Sequence, residues 1–366
     1  MLMPSNQPVR FDPSVETIAP DEQETLQGMK DSFQDILETT SQDYGHAVRS
    51  VHAKAHGIVR GTFTIADNLP PELAQGIFST PGRHEAIIRI STNAGDILDD
   101  SISLPRGLAL KILDVAGARL PGSEGDTTQD FIMVNGPAFS AADPKAFAKN
   151  LKLLSKTTDR FEGVKKAMSA TFRVVESALE AVGGQSATLT TLGGAKPVHP
   201  LGETYYSQTP FRFGEYIAKV ALFPALPELT RLTGDLVDIT ARPDALREVV
   251  REEMIEHGGK WEFRVQLNTD LEKMPIEDAS VVWDEEQSPF VTVATLEVPA
   301  QLSWEQGVTD HTDDALSYSI WHGITAHQPL GGVNRTRKDT YKQSADFRGK
   351  FNGCPMHEPA KLSELA

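Results

Sequence analysis

Two histidines and two basic residues stand together in the stretch AVRSVHAKAHG, Ala47 to Gly57. His52 has three open roles there: a proton-transfer group, a metal ligand, or an ordinary strand histidine. Further along, residues able to do chemistry are scattered. They are Arg89 and Ser91 in IIRISTNAG, Arg106 in LPRGLALK, Asn135 in FIMVNGPAF, and Arg337, Tyr341 and Arg348 in NRTRKDTYKQSADFR. Singly, each has a plain explanation. A histidine in a strand-like segment is usually a hydrogen-bonded structural residue, Asn135 before Gly-Pro is a turn signal, and isolated arginines are ordinarily surface or salt-bridging groups.

Ready-made motifs do not supply the missing context. The chain has no Gly-rich phosphate loop ending in Lys-Ser/Thr, no GxSxG elbow and no HExxH, and GGVNRTRKDTY lacks the third glycine of a dinucleotide fingerprint. Nucleotide hydrolysis and zinc proteolysis are therefore poor readings. The single cysteine, Cys354, excludes an intramolecular disulfide and a thiolate metal cluster. A formal charge of −16 argues against a nucleic-acid-binding surface. No stretch approaches the roughly 18 apolar residues of a membrane span, and the start has no apolar run behind a basic patch, so the expected location is the cytoplasm.

The 366 residues, 39% apolar and 23% charged, suit a globular chain with a large core. Leu26, Met29, Phe33 and Ile36 recur at helical intervals after a polar, proline-rich arm. From Gly45 the texture changes to short strand-like runs, GIVRGTFTI, EAIIRIST, GLALKILDV and DFIMVNG, separated by Pro/Gly/Asp turns. DPKAFAKNLKLLSKT reads as a helix with Asp143 as N-cap and Pro144 at its first position. A second helix is expected through GVKKAMSATFRVVESALEAVGG and a third in PDALREVVREEMIEHGG. WEFRVQLN and FVTVATLEVP return to strand pattern. Strands on both sides of a helical insertion point to one sheet or barrel whose halves are separated in sequence.

Taken together, the segments around His52, Ser91, Arg106, Asn135 and Tyr341, with EKMPIEDASVVW, resemble the catalase family from about Tyr44 to Arg348. The segment HQPLGGVNRTR is closer to the small catalase-related haem peroxidases and to the catalase-like allene oxide synthases. The resemblance implies an α+β fold with an antiparallel β-barrel core and surrounding helices, binding haem b. It implies an N-terminal arm and helix over 1–40, the haem-binding domain over 41–350 and a C-terminal tail over 351–366. His52 would be the distal catalytic histidine, with Val51 beside it. Ser91 would hold its ring, and Asn135 would place the peroxide. Arg49, Arg89 and Arg348 would bind the haem propionates, and Phe139 and Phe147 would stand near the cofactor and the substrate approach. Tyr341 would ligate the iron, supported by Arg337, as tyrosine does in catalase. A tyrosine with an unperturbed pKa of about 10 needs about 4 kcal/mol of help to ionise at neutral pH. The iron and the Arg337 cation would supply it, the spacing of four placing both side chains on one helix face.

The implied activity is haem-dependent reduction of hydrogen peroxide or organic hydroperoxides, with an organic electron donor. The alternatives are a fatty-acid hydroperoxide dehydratase or isomerase of allene-oxide-synthase type and a non-catalytic haem-binding protein. Two departures from typical catalases stand out. The family's C-terminal helical region is largely missing, so a homodimer is the expected assembly. Ser140 stands where an aromatic residue is usual, which predicts a wider distal pocket.

Overall fold

Apolar residues alternate along the strand-like segments, and that period of two decides which face turns inward. The computed structural model of the protein describes residues 7–155 and 195–365. The helix expected at 163–184 lies outside the described residues. Nine antiparallel strands are seen: β1 (Ala55–Ile65), β2 (Arg83–Thr92), β3 (Arg106–Ile112), β4 (Gln129–Val134), β5 (Tyr205–Tyr206), β6 (Phe211–Phe213), β7 (Tyr216–Pro224), β8 (Gly259–Leu267) and β9 (Val291–Val298). They run in the order β5-β4-β3-β2-β1-β9-β8-β7-β6. Pairing of Tyr205 with Leu222 and Tyr206 with Ala221 joins β5 to β7. That closes an eight-stranded barrel, with β6 added beside β7, so the predicted α+β barrel fold is present.

Leu108, Leu110 and Ile112 of β3 and Phe131 and Met133 of β4 fill the barrel interior. Phe63, Phe78, Phe131, Phe213 and Phe263 pack there at tilted and edge-on angles, the arrangements favoured by the ring quadrupole. His327 sits among these rings and accepts the Ile77 N–H at 3.1 Å, a structural role. The residues between those of the interior lie on the outer face, where Arg89 pairs with Ala109 and Ser91 with Gly107, and Ala109 pairs with Ile132.

Helices α1 (Glu22–Tyr44), α2 (Pro144–Ser155), α3 (Ala245–Glu256), α4 (Val308–Ala315) and α5 (Gly332–Phe351) surround the barrel. α2 starts as expected: the Asp143 carboxylate accepts the Ala146 N–H at 2.7 Å, satisfying one of the free donors at a helix start. Met29, Phe33 and Ile36 of α1 pack on Leu151 and Phe147 of α2, with Val51 at the margin.

α5 is largely polar, and its start is held by charge. The Arg335 guanidinium is gripped by Glu16 at 2.6 Å, Glu22 at 2.8 Å and Glu277 at 3.0 Å. Glu16 and Glu277 also accept the Gly331 and Gly332 N–H groups at 2.8 and 2.7 Å. Carboxylates at a helix N-terminus complement its dipole, so this clamp fixes α5 to the N-terminal arm. The sequence reading assigns no strand between 185 and 242, where β5, β6 and β7 lie; the first two are only two and three residues long, too short for an alternation to show.

Candidate active site

One wall of the principal cavity is the outer face of the barrel. His52 comes just before β1, not on a strand, with φ of 55°. That left-handed conformation is uncommon for a residue with a side chain and costs of order 1–3 kcal/mol. Its N–H donates to Asn93 O at 3.1 Å, and its Nδ1 lies 3.1 Å from Ser91 Oγ. The ring rests on Gly107: a Cβ there would come within 2.3 Å of His52 Cε1 and 2.5 Å of Nδ1. Only glycine fits beneath this imidazole. Burial, then the charges of Arg89, Arg337 and Arg49, push His52 down to about 3, so the ring is neutral at physiological pH.

The opposite wall is α5, which presents Tyr341, Ser344, Ala345 and Arg348 to the same cavity. Arg337, one turn before Tyr341, donates Nη2–H and Nε–H to the tyrosine oxygen at 2.8 and 3.1 Å. This puts a full positive charge on that oxygen, the setting an anionic oxygen ligand to a metal requires. The open space between the walls, solvent at its mouth included, is about 560 Å³. Val51, Ala109 and Ile132 give it apolar sides.

At one end Arg49, Arg89 and Arg348 come together. Arg49 and Arg89 share Asp313 of α4 at 2.7 and 2.6 Å. Burial opposes the charge of Asp313, but Arg49 and Arg89 outweigh it and hold its carboxyl well below the usual carboxylate range. Arg348, 2% exposed, is pulled down to about 9 by burial and then by Arg49. Its Nε and the Tyr318 hydroxyl are buried with no hydrogen-bond partner among the described residues. Unsatisfied donors around a surplus of positive charge, apolar sides and a cation-supported tyrosine oxygen fit a haem, with carboxylates at the arginine end and iron at Tyr341.

The predicted residues do not all reach the cavity. Arg49, Val51, His52, Arg89, Ser91, Tyr341 and Arg348 line it, whereas Asn135, Arg337, Phe139 and Phe147 do not. Asn135 is tied down nearby: its Oδ1 accepts the Arg106 N–H at 2.7 Å and its Nδ2 donates to Glu203 at 2.6 Å. Glu203 also holds the buried Arg106 side chain at 2.5 and 2.6 Å. Phe139 and Phe147 pack on each other, centroids 5.1 Å apart. His56 is buried on Thr92 Oγ1 at 2.7 Å and takes no part. Sequence reasoning misses Glu203, Asp313 and Tyr318. Nothing local marks them, and Asp313 is one acid in the run TDHTDDA.

A second charged cluster, Asp130, His322 and Glu358, has the makings of a metal site among the described residues. The Lys111 ammonium already bonds both Asp130 oxygens at 2.8 and 2.9 Å and also Glu358, so a cation is built in.

No protein-family model and no curated protein matches the chain. Solved structures do. A fungal catalase superposes with a TM-score of 0.60 at 18% identity, over 88% of this chain and 62% of its own. Catalase A from Saccharomyces cerevisiae does so at 0.57 and 16%, over 88% and 64%. This chain thus spans just over three fifths of the length of those catalases, and no helix among its described residues is long and apolar enough to cross a membrane. The barrel, its flanking helices and their connections are those of a catalase-like fold.

Proposed function

We propose that the protein is a haem-dependent peroxidase of catalase-like fold, reducing hydrogen peroxide or organic hydroperoxides at the expense of an organic donor. The observation that carries this reading is that Tyr341, backed by Arg337, and the His52–Ser91 pair line one cavity. The bound haem would supply an iron that binds the peroxide oxygen and yields two electrons to it. Tyr341 would hold that iron, with Arg337 stabilising the charge on its oxygen, and the three arginines would take the propionates.

The chain's own part in the reaction is proton management. In the tautomer that gives Nδ1–H to Ser91 Oγ, 3.1 Å away, the lone pair of His52 is on Nε2. Being neutral, that nitrogen can accept the proton from one peroxide oxygen and return it to the other as the O–O bond breaks, so that water leaves. The left-handed backbone at His52 and the Gly107 floor fix where the imidazole stands. Asn135 acts at one remove in this reading: it shares Glu203 with Arg106, the neighbour of Gly107, and so braces the floor under the imidazole.

The test is to reconstitute the protein with haem and record its absorption spectrum and peroxidase rate. A high-spin ferric spectrum with tyrosinate character is expected, lost in Tyr341→Phe. His52→Ala should keep the spectrum and lower the rate by about 10²–10⁴-fold. Full activity in His52→Ala would sink the mechanism, and rearranged hydroperoxide formed without donor consumption would replace the peroxidase reading with an isomerase.

A further inference from the structure

Three guanidinium groups meet at one end of the cavity, but among the described residues only one carboxylate bonds to them. Asp313 Oδ1 accepts from Arg49 Nη1 at 2.7 Å and Arg89 Nε at 2.6 Å, and Oδ2 from Arg89 Nη2 at 3.0 Å. Arg348 bonds to no carboxylate among the described residues. It donates to Asp314 O at 3.3 Å, Leu316 O at 3.2 Å and Met356 Sδ at 3.4 Å, and its Nε has no partner among the described residues. Asp314, next in the chain, turns its own carboxylate to His46 at 2.9 Å. Arg337, the other arginine near His52, is engaged with Tyr341. Three positive charges against one negative leave two.

The Asp313 carboxylate is not needed to place these arginines. Arg49 is also anchored to Asp313 O at 2.8 Å and Leu316 O at 2.9 Å, Arg89 to Ala53 O at 3.2 Å, and Arg348 to the two carbonyls above. Backbone oxygens carry no net charge, so they fix positions and leave the electrostatics untouched. What Asp313 adds, 8% exposed on α4, is one buried negative charge.

We propose that Asp313 is a built-in counter-ion that sets the residual charge of the arginine cluster at two, matching the cavity to a ligand with two carboxylates. It allows three arginines to be packed side by side before the ligand arrives, because like charges at close range in a protein interior repel strongly. It also moderates affinity, since it competes with incoming carboxylates for the same donors. The inference rests on the haem reading, whose cofactor carries two propionates, and it concerns a residue outside the proposed chemistry.

The experiment uses the haem-free protein titrated with haem and with haem dimethyl ester, whose carboxylates are masked, following the Soret band, together with the melting temperature of the haem-free state. Asp313→Asn should melt lower than the wild type yet bind haem roughly a hundred-fold more tightly, as expected for removal of one competing charge about 6 Å away at an effective dielectric constant of about 20. Its affinity for the dimethyl ester should not change, and Asp313→Glu should restore wild-type values. Equal affinity for haem in wild type and Asp313→Asn, or an equal gain for haem and ester, overturns the proposal while leaving the haem reading intact. Failure of the wild type to take up either porphyrin overturns both. Should Asp313→Asn not fold, Arg348→Gln reads the same quantity. With one residual charge, its preference for haem over the monomethyl ester should fall roughly a hundred-fold, and an unchanged preference overturns the proposal.

Discussion

On the barrel side of the cavity, His52, Arg89, Ser91 and Gly107 come from three chain segments that meet through strand register. On the helix side, Tyr341, Ser344, Ala345 and Arg348 stand within eight residues of α5. The two walls therefore depend on different things. The barrel wall needs a left-handed residue at 52, a missing side chain at 107 and a buried ion pair behind it. The helix wall needs only the regular rise and turn of α5 and a firm hold on its start. If His52 is the acid–base group and Tyr341 the iron ligand, as proposed, the first is set by non-local contacts and the second by local ones, and the two functions should be lost separately.

The largest expected separation comes from the ion pair behind the barrel wall. Arg106→Leu leaves Glu203 buried without its partner, and breaking such a pair costs about 3–5 kcal/mol. Urea unfolding should show that loss in the haem-free protein. Among folded molecules, the spectral features due to Tyr341 should persist. Disappearance of those features in folded Arg106→Leu would mean that the walls are not independent.

A smaller and more local effect is expected at Gly107. An added methyl group must displace the imbricated His52 ring, and overpacking of this kind costs about 1–3 kcal/mol. Gly107→Ala should retain haem while its peroxidase rate falls by about 10²-fold, the effect of a misplacement of about 1 Å. An unchanged rate would show that the ring has room to move without consequence.

The smallest effect is a pH dependence confined to the barrel wall. His52 titrates at about 3 in the folded protein against about 6.5 in an unfolded chain. Below pH 6.5 the unfolded chain takes up a proton that the folded one refuses, so this contribution to stability is intact above 6.5 and is lost as pH falls towards 3. The slope due to His52 is up to about 1.4 kcal/mol per pH unit. His52→Gln should flatten the stability profile by one proton between pH 6 and 4; an identical profile would mean that His52 takes up its proton in the fold as readily as in the unfolded chain.

The same contrast explains how much could be read from sequence. β1 to β4 show in the alternation of GIVRGTFTI, EAIIRIST, GLALKILDV and DFIMVNG, and the Arg337–Tyr341 pair shows in a spacing of four. The left-handed turn at His52 does not show, because valine and alanine neighbours carry no mark of backbone conformation. Nor do Glu203 and Asp313, since the side chains they hold lie about seventy or more positions away in the chain. Asn135 illustrates the limit from the other side: it is visible as a residue, but the structure gives its amide to Arg106 and Glu203 instead of to the cavity wall.

The clamp on Arg335 also sets an order of events during synthesis. Domains emerge from the ribosome with the N-terminal part first, and Glu16 and Glu22 are made more than three hundred residues before their partner. The barrel can close once β9 is complete at Val298, but α5 has then still to appear. Until it does, the nascent chain has the His52 side of the cavity without the tyrosine, and the N-terminal arm waits with carboxylates whose Arg335 partner is not yet made. On the haem reading, the cofactor would be gripped from both sides only once α5 has docked.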